Sequence, residues 1–304
     1  MNQKNLNAIE WLKQIPRVYQ EKPFLIDAAT REVLTFGELE NRAITVACNL
    51  QEQGLLKGDR IALLLPNSVH HVLLNFAALS LGLVVVPVNK ILSQEEIVNI
   101  LVHSRSCALI VSSETFGQMP SSFLATSSVK VLSLDEPSTT GEVKISILIL
   151  DGTQPTSQTF EAYDNLEEED EFLITYTSGT TAHPKAVVHH VGNLINNERL
   201  FTKSMGIDSE KRFYHCFSMG TLAGYHNTLM LPYICGASVV LTKEFGPMTI
   251  RSFWDNIKEF EVNTIWFVPT IMSILLQMDR GTTGVDYCQK NNVLPLVGMA
   301  PLPQ

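Results

Sequence analysis

Residues 60–88 read RIALLLPNSVHHVLLNFAALSLGLVVVPV. Arg60 to Leu65 is a short apolar run of the kind that forms a buried strand. Pro66-Asn67-Ser68 opens a helix with Val69, Leu73, Phe76 and Ala77 on its inner side, and Val84-Val85-Val86 is the next buried strand. The apolar stretch Val72 to Val88 approaches the length of a membrane span. Asn75, Ser80 and Gly82 interrupt it and it ends in Val-Val-Val-Pro, so it reads as a buried helix followed by a buried strand, with no transmembrane segment. Apolar strand, helix, apolar strand is the pattern of a βαβ unit, whose parallel strands are covered on both faces.

The same alternation extends outward. Thr35 and Glu38 form a capping box ahead of Phe36, Leu39, Ala43, Val46, Ala47 and Leu50, which recur at helical spacing. Gly54 stops that helix and Lys57-Gly58-Asp59 turns the chain. Ser93 and Glu96 form a second box before Ile97, Ile100 and Leu101, and Ala108 to Val111 is a further strand. Residues 112–163 are richer in Ser, Thr, Gly and Pro, and their apolar runs (VKVLSL, ISILIL) are weaker signals. Glu167-Glu168-Glu169-Asp170 is a solvated acidic stretch, readable as a lobe boundary or as an ordinary surface loop. Beyond it the pattern predicts strands over 172–176, 213–217, 238–242 and 264–268, and helices over 193–204, 222–234 and 249–260. The expected fold is α/β: two lobes with mainly parallel sheets covered by helices, a first lobe over residues 1–169 and a second over 170–304.

Composition narrows the function. Of 304 residues, 45% are hydrophobic and 17% charged, the balance of a packed globular protein. The net charge of −9 comes without a Lys/Arg cluster, which argues against nucleic-acid binding. Cys48, Cys107, Cys216, Cys235 and Cys288 are odd in number and widely spaced, which favours neither a zinc site nor a disulfide framework. Buried, reduced thiols in a cytoplasmic protein are the expectation. The N-terminus lacks a continuous apolar signal core.

Tyr176 to Val188, YTSGTTAHPKAVV, follows a predicted strand. Gly179 lets the backbone approach a bulky anion, successive amides can form a concave nest, and Thr177, Ser178, Thr180 and Thr181 add hydroxyl donors. Lys185 supplies a mobile positive charge suited to phosphate. A nucleotide P-loop places a second Gly and a Ser/Thr around its Lys, whereas Pro184 and Ala186 stand there in this chain. The residues alone leave two readings open, a phosphate loop of another kind and a Ser/Thr-rich surface loop.

This segment resembles the signature loop of the adenylate-forming superfamily, which comprises acyl- and aryl-CoA ligases, luciferases and peptide-synthetase adenylation domains. The match covers Tyr176, Thr177, Ser178, Gly179, Thr180, Thr181, Pro184, Lys185 and Val187. LTFGELENRA, GDRIALLLPNS, LGLVVVPVN, ICGASVVL, FVPTIMSILL and VGMAPLP also look like segments of the family's large N-terminal domain. The resemblance implies an ATP-dependent ligase. A fatty or aromatic carboxylate attacks the α-phosphate of Mg-ATP to form an acyl-AMP, and a CoA or carrier-protein thiol then displaces AMP. It implies that Thr177, Ser178, Gly179, Thr180, Thr181 and Lys185 hold the β- and γ-phosphates. Tyr225, Trp266 and Val268, with Phe267 and Pro269, are the candidate wall of the acid site, the alternative being that they are plain core residues.

The chain also departs from the family pattern. Ala182 and Ala186 replace family glycines, at a strain of about 1 kcal/mol or more wherever the backbone needs positive φ. His189 is out of register with a family Thr-His pair. Thr221 or Leu222 stands where an aromatic-His motif has its His, and His215 and His226 nearby read as structural. The family's YG-x-TE segment, ribose-binding Asp, later Arg and C-terminal domain with its Lys have no counterpart up to Gln304. The Mg²⁺ ligand falls with them, so no metal ligand and no catalytic residue is assigned. A truncated ligase, weakly active or inactive alone, is the expectation. The alternatives are a non-catalytic binding relative and a partial protein completed by a second chain.

Overall fold

The computed structural model describes residues 6–135, 145–148, 150, 162–177, 185–278 and 282–298. Its helices start where the side chains can satisfy free amides. Thr35 Oγ1 accepts from the Glu38 N–H at 3.2 Å while the Glu38 carboxylate accepts from the Thr35 N–H at 2.8 Å, opening helix Phe36–Glu52. Ser93 and Glu96 do the same for Gln94–Ser104, and Asn7 with Glu10 makes a third box at Ala8–Val18. Helix Val69–Leu81 is apolar around its circumference, and every residue in it except His70 is buried, as a helix without a polar face must be. Gly82, at φ 73°, ends it in the left-handed conformation.

The strands are β1 (Pro23–Asp27), β2 (Val33–Thr35), β3 (Arg60–Leu64), β4 (Val84–Pro87), β5 (Ala108–Val111), β6 (Lys130–Ser133), β7 (Ile145–Ile147), β8 (Glu171–Thr177), β9 (Lys185–His190), β10 (Arg212–His215), β11 (Ser238–Leu241), β12 (Thr264–Phe267) and β13 (Leu294–Val297). They form two sheets, a seven-stranded one ordered β7-β6-β5-β3-β4-β8-β9 and a six-stranded one ordered β13-β12-β10-β11-β1-β2. All pairings are parallel except the β1–β2 and β8–β9 hairpins. The α/β class and the parallel sheets are as expected.

The sheets do not divide at residue 169/170. β1 runs beside β11, with Leu25 opposite Val239, so the chain leaves one sheet after β2, builds all seven strands of the other and returns at β10. β8 and β9 close the seven-stranded sheet against β4 although they follow the acidic stretch. That stretch is itself tied down: Glu168 Oε1 accepts from the Ala8 N–H at 2.6 Å, and Asp170 pairs with Lys57 at 2.7 Å. Residues 223–230 wind as a π-helix before the short α-helix Leu231–Ile234. The thiols also differ from expectation: Cys48 and Cys216 are buried, Cys235 and Cys288 half-buried and Cys107 exposed, all unbridged. Among the described residues no helix is long and apolar enough to cross a membrane.

One continuous core joins the sheets across helix Val69–Leu81. It includes Phe24, Leu25, Val239 and Leu241 from the six-stranded sheet and Ile61, Leu63, Val85 and Leu173 from the seven-stranded one. Phe76 meets Tyr233 at 4.5 Å and Phe24 at 5.8 Å between ring centroids. Phe76→Ala would open a cavity at that junction. A loss of about 3–5 kcal/mol is expected in chemical denaturation, carried by the midpoint with little change in slope.

Candidate active site

The parallel strands deliver their carboxyl ends to one cleft of about 780 Å³. Its wall is built from the residues just past each strand: Asn89, Lys90 and Ile91 after β4, Cys216, Phe217 and Ser218 after β10, Glu244 and Phe245 after β11, and Val268, Thr270 and Ile271 after β12. Tyr176, near the end of β8, and Thr221 to Ala223 complete it. Open α/β sheets bind ligands at this location, because the loops there are free of ladder hydrogen bonds and converge from several strands. The lining is chiefly aromatic and aliphatic, with a few polar groups at fixed positions.

The signature loop leaves the sheet beside this cleft. β8 and β9 are antiparallel, with Thr177 directly opposite Lys185 and Tyr176 opposite Ala186. Ser178, Gly179, Thr180, Thr181 and Ala182 lie outside the described residues, as does the Thr177 side chain. Lys185 is exposed as the first residue of β9. Tyr176 lines the cleft, and its hydroxyl lies 2.8 Å from His103 Nδ1. Ala186 occupies extended backbone in a regular ladder, so its Cβ meets no positive-φ strain.

The candidate acid-site residues separate. Val268 lines the cleft. Tyr225 is fully buried, packs on Phe172 at 5.8 Å, and burial pushes its phenol well above the usual range. Trp266 stacks on Phe201 at 5.7 Å behind the cleft. Phe267 is core. Sequence reasoning missed Tyr176, Phe217, Phe245 and Ile271 as wall residues. The signal that could have found them is their place immediately around strand ends.

Two imidazoles are buried away from solvent. His215 and His71 are fully buried, and desolvation pushes each down to about 4. His215 Nδ1 lies 2.8 Å from Thr228 Oγ1, and His189 Nε2 lies 2.9 Å from Thr175 Oγ1. His226 Nε2 faces the buried Glu198 carboxyl at 3.0 Å, and burial raises Glu198 well above its ordinary value. Burial opposes the charge on Lys90, but Glu244 and Glu114, each at 3.2 Å, outweigh it and raise its pKa. Among the described residues no group of three or more His, Cys, Asp or Glu could hold a metal ion.

Two parallel-rich sheets with a cleft at their strand ends, and Tyr176 of the β8–β9 hairpin in its wall, define an open α/β protein with a ligand-binding cleft. The chain belongs to the AMP-binding enzyme family, whose model matches residues 12–304. It is 25% identical over 276 residues to sulfoacetate–CoA ligase of Cupriavidus necator, covering 89% of this chain and 52% of that protein. It is 24% identical over 291 residues to 4-coumarate–CoA ligase 2 of Nicotiana tabacum, covering 93% and 51%. The chain thus spans about half the length of the curated relatives it matches. Among solved structures it resembles the anthranilate CoA ligase AuaEII in complex with anthranoyl-AMP (TM-score 0.81, 23% identity, 98% of this chain and 56% of that one). It also resembles o-succinylbenzoate CoA synthetase of Bacillus subtilis in complex with its acyl-adenylate (TM-score 0.77, 24% identity, 96% and 68%). At these identities the structural likenesses establish the fold.

Two outcomes test this geometry. A Cβ on Gly220 would lie 2.7 Å from Asn89 Cα and from Val88 O, both backbone atoms. Gly220→Ala should therefore cost about 1–3 kcal/mol of stability in urea titrations. His71 and His215 stay neutral in the fold down to about pH 4 but bind protons near pH 6.5 when unfolded. The stability they contribute is present above pH 6.5 and is lost as pH falls toward 4, at about 1.4 kcal/mol per pH unit for each. Glu198, raised in the fold, acts with the opposite sign above its unfolded pKa. His215→Gln should flatten the slope of unfolding free energy between pH 6 and 4.5 by about 1.4 kcal/mol per unit.

Proposed function

We propose that this chain supplies the carboxylic-acid cleft and the polyphosphate hairpin of an ATP-dependent acid–CoA ligase. The observation that carries the reading is the adjacency of the two parts: Tyr176 forms the cleft wall two residues before the hydroxyl-rich loop begins. An acid held in the cleft lies beside a triphosphate held by the loop, which offsets the repulsion between two anions and removes the entropic cost of bringing them together.

In this reading Thr177, Ser178, Gly179, Thr180, Thr181 and Lys185 hold the β- and γ-phosphates. The ionised carboxylate needs no base: it attacks the α-phosphate, pyrophosphate leaves with the bonding electron pair, and acyl-AMP forms. A CoA or carrier-protein thiol then attacks the acyl carbon and releases AMP. Val268 contacts the acid directly, while Tyr225 and Trp266 support the wall from behind. The apolar lining fits a fatty or aromatic acid, and a cytoplasmic role in fatty-acid metabolism belongs to the same proposal. Mg²⁺ would neutralise triphosphate charge, and its ligands are not among the residues assigned.

A second reading, a non-catalytic binding relative, is favoured by Thr221 and Leu222. Both line the cleft where the resemblance calls for an imidazole. Acid-dependent exchange of labelled pyrophosphate into ATP separates the two readings: exchange supports the ligase, and acid binding without exchange supports the binding protein.

Calorimetric titration with ATP tests the loop. Lys185→Ala is expected to weaken binding about tenfold or more, equivalent to about 1.4 kcal/mol. Equal affinity in the two proteins would remove the polyphosphate assignment.

A further inference from the structure

Asn67 lies between β3 and helix Val69–Leu81 and is only 8% exposed. It belongs to the seven-stranded side of the molecule, yet its hydrogen bonds reach loops of the six-stranded sheet. Nδ2 donates to the Phe217 carbonyl at 2.8 Å and to the Thr242 carbonyl at 3.2 Å. Oδ1 accepts from the Met219 N–H at 3.0 Å, and the Asn67 N–H donates to Glu244 Oε1 at 3.0 Å. Phe217 and Glu244 are themselves cleft residues, one following β10 and the other following β11.

The segment after β10 is pinned from its other side as well. Gly220 packs against Val88 and Asn89 without room for a Cβ, and a Cβ on Gly224 would lie 2.2 Å from the Ser218 carbonyl oxygen. Thr221 Oγ1 donates to that same carbonyl at 2.7 Å. One turn along the helix beyond His71, Asn75 Nδ2 reaches Met219 Sδ at 3.8 Å. The cleft wall from Phe217 to Ala223 therefore has few ways to move while Asn67 holds it.

We propose that Asn67 is a positioning residue for the acid cleft. It fixes the walls that follow β10 and β11 relative to each other and to the sheet that carries the hairpin. The chemistry is selective for an amide. A single short planar group must supply two donors to carbonyls and one acceptor to an N–H, all in a buried place. Carboxylate, hydroxyl and hydrocarbon each leave at least one of those backbone groups unpaired, and a buried unpaired group drives the loop to rearrange toward water. This proposal rests on the cleft being the acid site. It predicts an effect on acid affinity that nucleotide affinity does not share.

The test uses the full chain with Asn67→Leu and Asn67→Ser, the latter keeping a neutral hydroxyl that can serve part of the network. Cinnamate, decanoate and ATP are titrated calorimetrically, and amide hydrogen exchange is followed over residues 217–224. Asn67→Leu should weaken the bound carboxylate about tenfold or more, leave ATP within about twofold, and speed exchange in 217–224, with Asn67→Ser falling between. Should Asn67→Leu fail to fold, Asn67→Ser decides the matter by the same readouts. Parallel loss of acid and ATP affinity, or unchanged exchange in 217–224, overturns the role of Asn67. A wild-type chain that binds ATP but neither carboxylate would instead refute the cleft as an acid site, and exchange in 217–224 would then decide Asn67 alone.

Discussion

The structure depends on the burial of one helix. Val69–Leu81 has no solvated face, so it is stable only when protein covers it all round. Side chains of both sheets enter the core it belongs to, and that requirement holds the two sheets together more firmly than the exposed ion pairs could. On one side of it Asn67 and Asn75 reach the loops of the six-stranded sheet, at the Phe217 carbonyl and at Met219 Sδ. The same burial that joins the sheets thus sets the position of the cleft between their strand ends.

Much of this was legible in the sequence because it is local. Capping boxes at Thr35/Glu38 and Ser93/Glu96 mark helix starts through contacts three residues apart. β8, β10, β11 and β12 fall within a few residues of where apolar runs place them, whereas β9 and β13 were not expected. What was not legible is non-local. β1 pairs with β11 across more than two hundred residues, and nothing in the run Phe24-Leu25-Ile26 names its partner. A boundary drawn at an acidic stretch could not anticipate that Glu168 caps a helix at the far N-terminus.

The candidate site shows the same division. The YTSGTT run and Lys185 carry their proposed chemistry in order and composition, and among the described residues the β8–β9 hairpin sets Tyr176 in the cleft wall. Wall residues carry no such mark. Val268 and Trp266 stand two residues apart, a spacing that within a strand would put both on one face; β12 ends at Phe267, and the chain past it carries Val268 to the cleft while Trp266 stacks on Phe201. Asn67 looks like an ordinary turn residue after Pro66 until the fold brings the carbonyls of Phe217 and Thr242 within reach of its amide.

The position of β1 also constrains how the protein is made. Its long-range neighbour β11 ends at Leu241, so at about 5–20 residues per second a nascent chain waits roughly 10–40 s between the two. Through that interval β1 has β2 on one edge and Phe36 and Phe76 against Phe24, but its other edge is without β11, while the seven-stranded sheet is being completed. β1 is made long before β11, and the time its edge spends without that neighbour is when a chaperone has the most to offer this chain.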